Sequence, residues 1–356
     1  MKKLLLICAS VLMFLSKGLA QINNSTMTWS GYVDAYYAYD FNQPDDHLRP
    51  SFLYNHNRHN EFNINLAYIK GDYSSNRTRA NLAIMAGTYA QYNLAAESPL
   101  LQHIFEANVG IKLSQKHEIW LDAGILPSHI GFESAVSKDC WTLTRSILAE
   151  NSPYYESGAK LSYASPNQQW TASVLALNGW QRIKRLDGNQ TVSLGTQITH
   201  KPNENLTLNW STYYGNEGIN GISQKRYFSN LYAIYQHEKW GFIAGFDYGS
   251  QQKANTDGYN NWYSPVAIVR YQLASKMRLA ARYEYYQDKN GVIIPTNTPE
   301  GFQVSGYSLN WDYQVTDNAV FRIEAKNYHA NSTIFTEKSQ SKNDNLAITS
   351  SIAVQF

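Results

Sequence analysis

Apolar and polar residues alternate with a period of two along most of the chain, most clearly in its last segment. There Leu346, Ile348, Ile352, Val354 and Phe356 share one face, while Ala347, Thr349, Ser351, Ala353 and Gln355 share the other. This alternation is the signature of a strand whose two faces meet different surroundings. A charge-free apolar face opposite small polar groups fits lipid outside and water inside. The same pattern predicts strands near 27–40, 58–70, 77–90, 103–114, 117–126, 153–164, 168–178, 191–200, 205–215, 225–237, 239–250, 262–274, 277–288, 301–314, 318–330 and 343–356, about sixteen in all. Every second connection is tight and made of turn formers, as at Ser114-Gln115-Lys116, Ser165-Pro166-Asn167, His237-Glu238 and Ala274-Ser275-Lys276. The intervening ones, including 41–57, 127–152, 290–300 and 331–342, are longer and polar. The expected fold is all-β: a transmembrane antiparallel up-and-down β-barrel with short periplasmic turns and long extracellular loops.

Charges fix which face is which. In 277–288, Met277, Leu279, Ala281, Tyr283 and Tyr285 alternate with Arg278, Arg282 and Glu284. An Arg or Lys facing lipid at the midplane costs roughly 2–4 kcal/mol, so the charged face is expected to line the lumen. Arg322, Glu324 and Lys326 follow the same rule, as do Glu106, Asn108 and Lys112, and Asp34, Arg79, Asp122, Glu156, Lys160 and Asp247 join them. A lumen of mixed sign implies water, and about sixteen strands enclose an aqueous channel. Arg278, Arg282, Arg322 and Lys326 read as a basic ladder partly neutralised by Glu284 and Glu324, which predicts weak charge selectivity.

The connection 127–152 stands apart in length and in carrying both charge and apolar groups. Connections of this size are functional or disordered, and the apolar content argues for order. If it folds inward, Ile130, Phe132, Val136, Trp141, Leu143 and Ile147 pack on the wall, and Glu133, Lys138, Asp139, Trp141 and Arg145 form a constriction of the pore. The alternative is a cap over the mouth.

Residues 1–20 read as a signal peptide: Lys2 and Lys3, an apolar run from Leu4 to Leu15, then Gly18-Leu19-Ala20 before a cut that leaves Gln21 first. The run is too short to span a bilayer. Residues 21–356 are then one barrel domain with a single thiol, Cys140. Cleavage takes the basic count from 30 to 27 against 28 acids, and a net charge near −1 excludes a nucleic-acid partner. A mean hydropathy of −0.45 beside 27 Tyr, 13 Phe and 9 Trp suits a barrel, since only alternate residues face lipid and Tyr and Trp fill interfacial girdles.

Trp29-Ser30-Gly31-Tyr32-Val33-Asp34-Ala35-Tyr36-Tyr37-Ala38-Tyr39 resembles the opening strand of the β-barrel porin-2 (OmpL-like) family. Ala149-Glu150-Asn151-Ser152-Pro153-Tyr154-Tyr155-Glu156-Ser157-Gly158-Ala159-Lys160-Leu161-Ser162-Tyr163 is similar to that family's segment leaving the long loop. The resemblance covers nearly the whole mature chain and implies an outer-membrane porin with no catalytic residues to carry over. The expected function is passive diffusion of small hydrophilic solutes or ions through the cell outer membrane. The expected partners are membrane lipid and lipopolysaccharide, those solutes, and the barrel-assembly machinery, for which the terminal Phe356 is the signal. Monomer and homo-oligomer both remain open.

The alternatives are weaker. His56-Asn57-Arg58-His59 matches no metal or triad spacing, and Asp139 beside Cys140 disfavours a nucleophilic thiolate. Asn255-Thr256-Asp257-Gly258 and Asp288-Lys289-Asn290-Gly291 read as turns before calcium loops. No cofactor, metal or enzymatic activity is expected. An energy-coupled receptor needs about twenty-two strands and a plug. A sugar channel with a stacking track on Tyr32, Tyr36 and Tyr328, and an adhesin with a sealed lumen, remain as other readings.

Overall fold

The computed structural model describes residues 25–338 and 340–356. The signal-peptide reading of 1–20 lies outside these described residues. Sixteen antiparallel strands close a barrel: β1 (Thr26–Asp40), β2 (Phe62–Ser74), β3 (Thr78–Ala86), β4 (Ile104–Lys112), β5 (Glu118–Pro127), β6 (Tyr155–Ala164), β7 (Trp170–Leu177), β8 (Ser193–Asn203), β9 (Leu206–Asn216), β10 (Lys225–His237), β11 (Trp240–Gln252), β12 (Tyr259–Ala274), β13 (Met277–Asp288), β14 (Phe302–Thr316), β15 (Ala319–Ala330) and β18 (Asp344–Gln355). Each pairs with its chain neighbour, and β1 pairs with β18 in the register Tyr32↔Gln355 to Asp40↔Ala347. Beyond the last strand, Phe356 and Gly31 exchange backbone hydrogen bonds of 2.9 and 2.6 Å. Gly31 has no side chain to hold off the Phe356 ring lying over it.

The side-chain alternation holds around the wall. In β11, Trp240, Phe242, Phe246 and Tyr248 point out while Ile243 and Asp247 are buried inside. Hydroxyls on the outer face find partners, as a membrane requires: Thr196 pairs with Thr212 at 2.6 Å, and Trp210 Nε1 donates to Ser229 at 2.9 Å. Trp240 packs on Tyr271 with ring centroids 4.6 Å apart near one rim, the placement expected of a girdle. The tight turns share an end with both termini of the barrel, and the long loops share the other.

Three details differ from the sequence reading. The strand expected over 77–90 stops at Ala86, because Gly87 takes φ 121° and Thr88–Asn93 form a short helix that buries Tyr89 and Ala90. The strand expected from 58 begins at Phe62, since Leu48 and Arg58 bridge within the preceding loop. The last long loop carries its own hairpin, β16 (Phe335–Glu337) and β17 (Gln340–Lys342).

Candidate functional site in the barrel lumen

The segment between β5 and β6 folds into the lumen and binds the wall from β8 round to β1. It enters at His129, whose Nδ1 meets Glu156 at 2.8 Å and whose Nε2 meets the Thr212 carbonyl at 2.9 Å. Both ring nitrogens face acceptors, so both must donate, which requires the imidazolium. Burial opposes that charge, but the Glu156 carboxylate, the stronger influence in net, holds the pKa above the ordinary 6.5. Gln197 and Ser211 donate to the His129 carbonyl. Next, Phe132 lies over Gly245 and meets Tyr232 at 5.6 Å, and further along Trp141 lies over Gly241. Arg270 stacks on the Trp141 ring at 4.1 Å. A Cβ at either glycine would intrude on the ring above it.

Beneath this segment the lumen wall is apolar. Ile243, Val266, Ile268, Ala280 and Val320 point inward and pack with Ala135, Val136, Phe132 and Trp141. Burying each large aliphatic side chain contributes about 1.5–3 kcal/mol, so this is a seated element with its own core.

The charges of β13 and β15 tie the segment down. Arg282 donates to Thr142 Oγ1 and the Thr144 carbonyl, both at 2.7 Å, and to Glu324 at 2.9 Å. Glu324 accepts from the Thr144 amide and Glu284 from the Ile147 amide, each at 2.5 Å. Lys326 bridges Glu284 at 2.8 Å and the Arg145 carbonyl at 2.9 Å. Arg322 pairs with Asp312 at 2.8 Å and donates to the Cys140 carbonyl at 3.0 Å and to the Ser137 carbonyl. At the far side Ser137 meets Tyr32 at 2.8 Å, and Lys138 reaches Gln355 at 3.3 Å. Where the chain returns toward the loop end, Glu150 accepts from the Tyr54 and Asn55 amides at 3.0 and 3.3 Å, joining the segment to the first long loop. Burial pushes the Glu150 carboxyl up to about 7, with Arg145 and these donors opposing.

These contacts revise the assignment of individual residues. Arg282, Glu284, Arg322, Glu324 and Lys326 do point into the barrel, but they are at most 3 % exposed and solvated by the segment's backbone, so a water-exposed basic ladder is corrected to a set of anchors. Arg278, half-buried beside Gln272 at 3.0 Å, is the member outside that network. Arg145 does not face a bore: its guanidinium donates to the carbonyls of Ser134, Leu143 and Ala135 at 2.6–2.7 Å and clamps the segment on itself. Glu133 likewise turns inward to Ser146 and Arg282. Asp139 remains exposed, and Lys138 and Trp141 partly so. Tyr32, Tyr36 and Tyr328 are buried and offer no stacking track. His56 is buried against Asp34 at 2.9 Å. Among the described residues no group of three or more His, Cys, Asp or Glu is placed to hold a metal ion.

The wet part of the lumen lies on the opposite wall. Lys70 bridges Asp72 at 3.2 Å and Glu106 at 3.1 Å, Arg79 pairs with Asp122 at 2.5 Å, and Lys112 pairs with Glu118. A cavity of about 430 Å³ near the tight-turn end is lined by Arg79, Glu118, Trp120 and Lys160. Lys160 has no ion-pair partner among the described residues.

The His129 anchor carries a pH prediction. Its folded pKa is raised, so its contribution is complete below pH 6.5 and fades as pH rises through the raised value. The thermal stability advantage of the native protein over His129→Gln should be largest below pH 6.5 and shrink as the pH rises through the raised pKa. An advantage independent of pH would remove the imidazolium from the account.

The family described as "Putative beta-barrel porin-2, OmpL-like" matches residues 26–356. No curated protein matches the chain significantly. Among solved structures, the chain is similar to an anion-selective porin from Comamonas acidovorans at 11 % identity and TM-score 0.60, covering 94 % of this chain and all of that one. It is similar to OmpT of Vibrio cholerae at 10 % identity and TM-score 0.60, covering 94 % and 99 %. It is also similar to the outer-membrane channel DcaP of Acinetobacter baumannii at 10 % identity and TM-score 0.59, covering 94 % and 98 %. At such identities these likenesses speak for the barrel fold, whereas the family match extends over almost every described residue. The chain belongs to the β-barrel porin-2, OmpL-like family of outer-membrane porins.

Proposed function

We propose that this porin passes small hydrophilic solutes and ions by passive diffusion, along a route that the 127–152 segment confines to the β2–β8 wall. The supporting observation is the seating of that segment: its apolar side packs on the β11–β15 wall in a cluster that also takes in Tyr32, Leu66, Tyr68 and Met85, and the charges outside the anchor network line β2–β6 toward the tight-turn end. On this reading Lys138, Asp139 and Trp141 border the constriction, and no residue has a catalytic role. Lys70, Arg79, Lys112 and Lys160 stand against Asp72, Glu106, Glu118 and Asp122, so the field on a permeating ion nearly cancels and selectivity is weak. The exposed apolar belt would meet lipid, with lipopolysaccharide in the outer leaflet, and Phe356 would serve recognition by the assembly machinery. A trimer form of V. cholerae OmpT makes a homo-oligomer a reasonable state to test here.

Reversal potential in a salt gradient tests the assignment. Lys160→Glu should shift the preference toward cations, most at low ionic strength, because screening acts over roughly 10 Å at 0.1 M salt. Arg278→Gln, outside the confined route, should shift it little. No measurable conductance from the native barrel would contradict the channel and favour the sealed-lumen reading. A larger shift from Arg278→Gln than from Lys160→Glu would move the route to the other wall.

A further inference from the structure

The loops 41–61 and 289–301 and residues 333–336, 338 and 341 converge at the outer mouth and line a cavity of about 850 Å³. This lies within the range of about 300–1,000 Å³ typical of small-molecule sites. Its accessible apolar lining comes from Leu48, Pro50, Pro295 and Ile334, which lie over the buried rings of Phe52, Phe302 and Phe335. Its walls are amides and hydroxyls, including Asn42, Asn297, Thr298 and Thr333.

One wall residue is left incomplete. Asn345, 2 % exposed, donates through Nδ2 to both oxygens of Asp40 at 2.8 and 2.9 Å. Its Oδ1 has no hydrogen-bond partner among the described residues. A buried amide oxygen without a donor is costly, and a ligand hydroxyl would supply one.

Charge narrows the ligand class. Asp40, Asp45 and Asp46 stand against Lys338, which disfavours anions. Asp40 is already served by Asn345 and by the Asn42 amide at 3.0 Å, and no metal-holding cluster is present among the described residues, which disfavours a bare cation. A neutral sugar fits both surfaces: its C–H faces suit an apolar floor, and its hydroxyls both donate and accept along amide and hydroxyl walls.

We propose that this cavity is a capture site for a neutral saccharide of two or three rings at the outer mouth of the barrel. Its role as a loading site for permeation rests on the channel reading, whereas the binding itself does not. The test is isothermal titration of the refolded full-length barrel, in a detergent without a sugar head group, with maltotriose as probe. Saturable binding with Kd on the order of 1 mM is expected. Asn345→Leu should weaken it at least about tenfold, the cost of roughly one or two lost hydrogen bonds. A triple variant, Thr296→Val, Asn297→Leu and Thr298→Val, should do the same while leaving the buried Asp40–Asn345 pair intact, so it reports on the site even if Asn345→Leu fails to fold. Absence of saturation, unchanged binding in the triple variant, or preferential binding of glutamate or spermidine would overturn the proposal. Bilayer conductance measured in parallel separates the two claims: maltotriose binding without conductance overturns the channel alone, and conductance without binding overturns the site alone.

Discussion

Replacing Arg282 by Met should destabilise the barrel by about 3–5 kcal/mol, the usual cost of removing one partner from a buried charge network. The guanidinium sits between Glu324 at 2.9 Å and Glu133 and Glu284 at 3.5 Å, with Thr142 and Thr144 completing its donors. Without it three carboxylates share a buried pocket, with Lys326 as the cation still paired to Glu284. The denaturant midpoint of the refolded protein reads the loss, and Arg278→Gln, half-buried beside Gln272, is the matched control with little effect. Equal midpoints for Arg282→Met and the native protein would mean that the network does not hold the segment.

The second large effect belongs to two glycines. Gly241→Leu together with Gly245→Leu places side chains where the Trp141 and Phe132 rings now lie, so both rings must leave their seats on β11. The segment should be expelled from its bed while the strands, whose inward positions accept larger residues elsewhere, still close. Cys140 reports this directly, because it lies within the segment, its thiol is buried while the segment is seated, and it is the sole cysteine among the described residues. Maleimide labelling of the folded barrel should be slow in the native protein. It should be at least about a hundredfold faster in the double variant, as expected when a buried group no longer needs a costly local opening. Slow labelling in a folded double variant would show that the rings do not pin the segment.

The barrel itself was legible because two physical costs act at every strand. Charges avoid lipid and apolar side chains avoid water, so Arg282 and Tyr283 had to point opposite ways, and they do. The meaning of the inward charges was not legible. An Arg facing inward satisfies the same rule whether water or a folded-in carbonyl solvates it, and the second case holds for Arg282 and Arg322. Two signals did exist. Ile243, Val266, Ile268 and Val320 occupy inward positions where a water-filled lumen would disfavour them. Gly241, Gly245 and Gly249 recur every fourth residue on the same inward face, and an inward glycine in a strand marks a close approach. The mouth cavity was hidden for a different reason: it is assembled from three loops distant in sequence, whose residues read singly as ordinary turn formers.

The central claim is that the 127–152 segment occupies the lumen and sets the width of the path through it. Single-channel conductance of the native barrel against a variant with residues 131–146 replaced by a short flexible linker tests this most directly. Chain removed from the lumen is replaced by electrolyte, so the variant should conduct severalfold more and admit larger neutral solutes, provided it retains the native resistance of a folded barrel to heat and detergent. A folded variant with unchanged conductance and unchanged solute cut-off would contradict the account.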